Sequence, residues 1–68
     1  MSELLERITI DLDRMHGRPC IRGLRITVAD ILGLLSTGQS RETILREYPY
    51  MESEDIDAAL AFAARQGP

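Results

Sequence analysis

Two side chains in this 68-residue sequence have the chemistry of soft metal ligands or of a nucleophile and its base. They are Cys20 and His16, and each is the sole residue of its type. A His and a Cys four apart share one face of a helix, and two such pairs in a dimer would supply the four ligands of a tetrahedral zinc site. Gly17 and Pro19 stand between them and rule out that helix, so no metal is expected. Asp11 and Asp13 lie near His16 in sequence, but no spacing fixes either as its partner. The chain has no nucleophile elbow, phosphate-cradling glycine loop or dinucleotide fingerprint. It is therefore expected to be non-enzymatic and to carry no cofactor. Cys20 is expected to be a small buried apolar residue at the start of a strand.

The other residues with chemical reach are charged, and their placement is uneven. Every basic side chain is arginine. Residues 14 to 25 contain Arg14, Arg18, Arg22 and Arg25 and no acid, whereas residues 52 to 57 contain Glu52, Glu54, Asp55 and Asp57 and no base. The net charge is −3, which argues against a protein whose main task is to coat nucleic acid. Arginine presents a planar fork to carboxylates and is enriched at interfaces. Arg18, Arg22 and Arg25 are thus candidate anchors for a partner's acidic groups. The competing reading is internal. The same arginines would pin the hairpin to backbone carbonyls or meet the chain's own acidic segment.

These residues must be positioned by short elements. Ile8-Thr9-Ile10 alternates apolar and polar and reads as a strand. Residues 15 to 19 carry Gly17 and Pro19 and read as a turn. Residues 20 to 26 read as a second strand with Gly23 at a bulge or bend, so a hairpin is expected over about 7–26. Thr27 and Asp30 have the spacing of a capping box. Val28, Ile31, Leu32 and Leu35 then follow one helical face over about 27–37, and Gly38 suits a left-handed C-cap. Gly33, inside this helix, is expected to permit close packing. Ser40 caps a second helix over about 41–48, which Pro49 ends. Ser53 is the expected N-cap of a third, over about 54–66, with Ile56, Ala59, Leu60 and Ala63 on one stripe and Gly67-Pro68 at its end. The expected fold is α+β and mostly helical, a hairpin followed by a three-helix, helix-turn-helix-like unit in one domain.

So small a chain buries only about 60% of its extended surface, and burial barely offsets the entropy of ordering it. One cysteine cannot form an internal disulfide. A homodimer or another partner is therefore expected, with Ile8, Ile10, Ile21 and Phe62 as the dimer or packing surface. No apolar run approaches membrane-spanning length, and the acidic N-terminus lacks the charge pattern of a signal peptide. No membrane contact and a cytoplasmic location are expected.

The sequence from Ile8-Thr9-Ile10-Asp11 and the block His16-Gly17-Arg18-Pro19-Cys20-Ile21-Arg22-Gly23-Leu24-Arg25-Ile26 resembles the domain-of-unknown-function 433 family. Val28, Gly38-Gln39-Ser40, Glu42, Ile44-Leu45, Tyr48-Pro49 and Asp55-Ile56 agree with it. The likeness runs from residue 8 to about 64. Leu12, Leu24 and Met51-Glu52 depart from the family's usual proline, threonine and Leu-Thr. The resemblance implies a small prokaryotic antitoxin of VapB type, dimeric, paired with a PIN-like ribonuclease toxin. The alternative is a DNA-binding regulator acting on operator DNA. In a helix-turn-helix the third helix would enter the major groove, but its N-terminal acids would be repelled by phosphate. A DNA reading therefore falls to the basic hairpin.

Overall fold

The computed structural model describes residues 3–66. A short antiparallel hairpin, β1 (Ile8–Thr9) and β2 (Cys20–Ile21), precedes three helices, α1 (Val28–Ser36), α2 (Arg41–Glu47) and α3 (Ser53–Gln66). Single turns of tight helix at Leu5–Arg7 and Met15–Gly17 flank β1 and β2. The architecture is α+β and mostly helical.

Local chemistry sets most boundaries. Thr27 and Asp30 form a reciprocal capping box, Asp30 N–H to Thr27 Oγ1 at 2.9 Å and Thr27 N–H to Asp30 Oδ2 at 3.0 Å. At the far end of α1 the Gln39 N–H donates to Leu34 C=O and the Gly38 N–H to Leu35 C=O. With Gly38 at φ +92°, this is a Schellman stop. Ser40 caps α2 through the Thr43 N–H at 3.1 Å. Ser53, expected as the cap of α3, is instead its first helical residue, because Asp55 supplies the capping carboxylate from within the helix. Gly67 and Pro68, expected to close α3, lie outside the described residues.

The hairpin is shorter than the expected span of about 7–26. Ile8 pairs with Ile21 and Thr9 with Cys20, and β2 ends there. Arg22 and Gly23 both have positive φ (47° and 71°), and the Leu24 N–H donates to Ile21 C=O at 2.7 Å. Two successive positive-φ residues reverse the chain tightly, so of the two expected alternatives Gly23 stands at a bend and not at a bulge. The returning segment pairs with the other side of β2. The Ile21 N–H donates to Ile26 C=O, the Val28 N–H to Pro19 C=O, and Cys20 bridges Thr27. A central segment of three residues thus links the hairpin directly to the start of α1.

The core lies between β2, α1 and α3. Ile21, Ile31, Ile44, Ile56 and Ala59 have no exposure, and Val28, Ile26 and Met51 close the cluster. Ile8 and Phe62 pack against its edge. Ile10, at 58% exposure, does not join it, and Leu60, expected on the buried stripe of α3, is 43% exposed. The inward face of α3 is rotated toward Asp55 and Ala58. A side chain added at Gly33 would meet nothing within 4 Å, so this glycine serves no close packing among the described residues.

Candidate functional site

The largest charged constellation among the described residues is built from three distant pieces of chain. Asp55 sits in the first turn of α3 with no exposure, and each of its oxygens is satisfied. The Arg22 fork reaches it with Nε at 3.0 Å from Oδ1 and Nη2 at 2.9 Å from Oδ2. Arg7 adds Nη1 at 2.9 Å from Oδ1, and the Glu52 N–H donates to Oδ2 at 2.9 Å. Arg7 Nη1 also reaches Glu52 Oε1 at 2.7 Å. The backbone explains why these groups meet. The Arg22 N–H donates to Arg7 C=O at 2.8 Å, which sets the two guanidinium stems side by side at the open end of β1 and β2. The positive φ of Arg22 then turns its side chain back onto α3. That conformation is uncommon for a non-glycine residue and is held by the ionic fork.

Burial alone would raise the Asp55 carboxyl pKa. The Arg22 fork, the Glu52 N–H and Arg7 outweigh it and hold the group below its ordinary value. The hydrogen bonds Arg7 donates to Glu52 and Asp55 keep it more firmly protonated, and those Arg22 donates to Asp55 do the same for Arg22. Arg22 makes one further contact, Nη2 to Tyr50 C=O at 2.8 Å. That bond fastens the turn between α2 and α3. Beside it, Arg41 bridges from the start of α2 to Ser53 and to Asp57 at 2.8 Å.

The basic segment therefore divides. Arg22 meets the chain's own acidic segment. Arg14 donates to Gly23 C=O at 3.0 Å and lies 3.7 Å from Asp11. Arg18 and Arg25 are exposed, and among the described residues their side chains have no hydrogen bond or ion pair. Of the expected anchors, only these two point an uncommitted guanidinium outward. Ile21 is wholly buried and Ile8 is packed, so both serve the core, whereas Ile10 and part of Phe62 remain outside.

His16 is exposed, and Cys20 is buried with its thiol on Arg18 C=O at 3.2 Å. Met15, His16 and Gly17 all have positive φ (50°, 58° and 75°), which makes the expected turn a left-handed one. No group of three or more His, Cys, Asp or Glu side chains able to hold a metal gathers among the described residues. No helix among them is long and apolar enough to cross a membrane. Sequence reasoning missed Arg7 as a partner of the acidic segment, and it treated Asp55 as one acid among the four of residues 52 to 57. The available signal was Asp55 itself, three residues after Glu52, the spacing of a capping-box acid.

Fold and ion cluster together define a small hairpin-plus-three-helix domain stapled at one end by a buried carboxylate. The chain belongs to the family described as Protein of unknown function (DUF433), whose model matches residues 8–63. That span contains Arg22 and Asp55 and stops one residue short of Arg7. The chain is also similar to "Uncharacterized protein y4eO" of Sinorhizobium fredii (strain NBRC 101917 / NGR234), at 33% identity over 58 residues. The likeness covers 85% of this chain and 26% of that protein, so the chain spans about a quarter of the length of this curated relative. No solved structure matches.

Proposed function

We propose that this domain is a non-enzymatic, antitoxin-like binding module of VapB type that holds a PIN-like ribonuclease. One observation carries the reading. The ion cluster fixes the 22–25 loop, and Arg25 leaves that loop with a guanidinium that has no partner among the described residues. A rigid scaffold presenting a free arginine suits recognition of carboxylates, which a metal-dependent nuclease must gather at its centre. The choice of a ribonuclease as partner comes from the family resemblance.

The homodimer is placed on the apolar groove of about 250 Å³ between α1 and the end of α3, lined by Pro19, Val28, Leu32, Phe62 and Ala63. A chain this small needs further buried area, and this groove carries no charged side chain. We place the module in the cytoplasm, where such a partner would act.

The test is co-expression with a PIN-like ribonuclease of the source organism. The reading expects a complex on gel filtration and suppressed RNA cleavage. Separate elution with unimpaired cleavage would overturn it. Light scattering of the isolated domain should give twice the chain mass, falling to one chain mass in Phe62→Glu. Operator binding is the weaker reading, because Glu54 and Asp57 flank the start of α3 and Arg14 and Arg22 are committed internally. It requires a steep loss of binding with salt.

A further inference from the structure

We infer that the face formed by Arg25, Tyr48 and Tyr50 is the contact surface for a protein segment that presents a carboxylate next to an apolar side chain. This rests on the reading of the chain as a protein-binding module. It assigns that module a surface that the arginine pattern alone does not identify.

The surface is a groove of about 370 Å³ between the 22–25 loop, α1 and the α2–α3 turn, lined by Arg25, Ile26, Asp30, Leu34, Tyr48 and Tyr50. Its aromatic wall is fixed. The two rings meet edge to face with centroids 6.1 Å apart and planes at 76°. Tyr50 is 49% exposed, although both groups of the peptide that follows it are tied. The Arg22 fork, itself locked on Asp55, donates to Tyr50 C=O at 2.8 Å. The buried Met51 donates its N–H to Tyr48 C=O at 2.8 Å. Arg22 is thus a positioning residue for the tyrosine it does not touch through its ring. A half-exposed aromatic held in place loses little freedom on binding, and Tyr and Arg are the residue types that dominate binding hot spots.

Charge selects the occupant. Arg25 has no ion pair among the described residues. The groove's own acid, Asp30, turns Oδ2 to the Thr27 N–H at 3.0 Å and leaves the guanidinium to a visitor. The arginine fork fits a carboxylate, and Leu34 with the Tyr50 ring fits an apolar neighbour. A single free cation beside a carboxylate is a poor track for a phosphate backbone. Rings already in contact at 76° leave no slot for a base to stack between them.

The test is site-specific photocross-linking in cells of the source organism, with p-benzoyl-phenylalanine at position 50. The expected result is a cross-link to a protein segment containing Asp or Glu beside the attachment point. Its yield should fall by about tenfold or more in Arg25→Ala, as truncation of a hot-spot residue does. Arg46→Ala, which removes an exposed arginine on the outer side of α2, should leave the yield unchanged. Melting temperatures of both variants should stay within about 2 °C of the parent. A cross-link to nucleic acid or to a second copy would overturn the inference, as would a yield indifferent to Arg25 or no cross-link. An Arg25-dependent partner that is not a ribonuclease would keep this surface and remove the antitoxin reading. A ribonuclease complex that forms with Arg25→Ala and never cross-links from position 50 would do the reverse.

Discussion

Arg22 and Arg25 stand three residues apart in one loop and have opposite fates. Arg22 turns inward at positive φ and spends its guanidinium on Asp55 and on the Tyr50 carbonyl. Arg25, past the tight turn, faces solvent without a partner among the described residues. The difference lies in the backbone and not in the residue type. Where the loop reverses, a long side chain is carried back over α3; where it leaves the turn, the same side chain points away. The lesson for a run of arginines is that charge density does not identify a binding face until the turn geometry is known.

The contrast can be broken most sharply at its buried end. Asp55→Ala leaves two guanidinium groups and the Glu52 N–H without their common acceptor. Both guanidinium groups are about a third exposed and recover water once the acid is gone, so the loss is about 1.5–3 kcal/mol, the range of hydrogen bonds to a charged group, still a large fraction of the stability of so small a domain. Urea titration followed by circular dichroism should show this as a collapse of the midpoint. The pH dependence follows from the same group. The folded carboxyl titrates below the unfolded value of about 3.9, so the unfolded chain binds the proton first. The stabilisation from Asp55 is complete above that pH and disappears as the pH falls through the folded value. Melting curves from pH 6 to pH 2 should steepen downward below about pH 4, and Asp55→Asn should flatten that segment.

Smaller effects sharpen the account of the scaffold. Gly38→Ala forces an L side chain to φ +92° and should cost about 1 kcal/mol, seen as a lower melting temperature. Gly33→Ala should act in the opposite direction. Open space surrounds it within α1, and replacing a helical glycine should raise stability by about 0.5–1 kcal/mol. Arg25→Ala should change stability by no more than about 0.5 kcal/mol. A larger loss would mean that this arginine, like Arg22, works for its own fold.

The helices were legible because their ends are written locally. Thr27 with Asp30, Ser40, Gly38 and Pro49 each act within a turn of their own position, and the expected boundaries fall within about a residue or two of those found. The ion cluster was not legible because it joins residues 7, 22 and 55, and no short-range rule links them. The turn at Arg22-Gly23 was hidden by its first residue, since arginine seldom adopts positive φ and the familiar signal is Asn-Gly or Asp-Gly. The apolar period of α3 likewise favoured Leu60, while the buried acid rotated the helix the other way.

Asp55 stands at the third position of α3 and accepts from Glu52, so the carboxylate that receives the two guanidinium groups also starts a helix. The ribbon and the helix therefore depend on one carboxylate: residues 7 and 22 supply the counter-charge that offsets burial of the acid capping the last helix. A fragment trimmed to residues 8–63, the span the family model recognises, would retain one of those two cations and begin its folding with the other already gone.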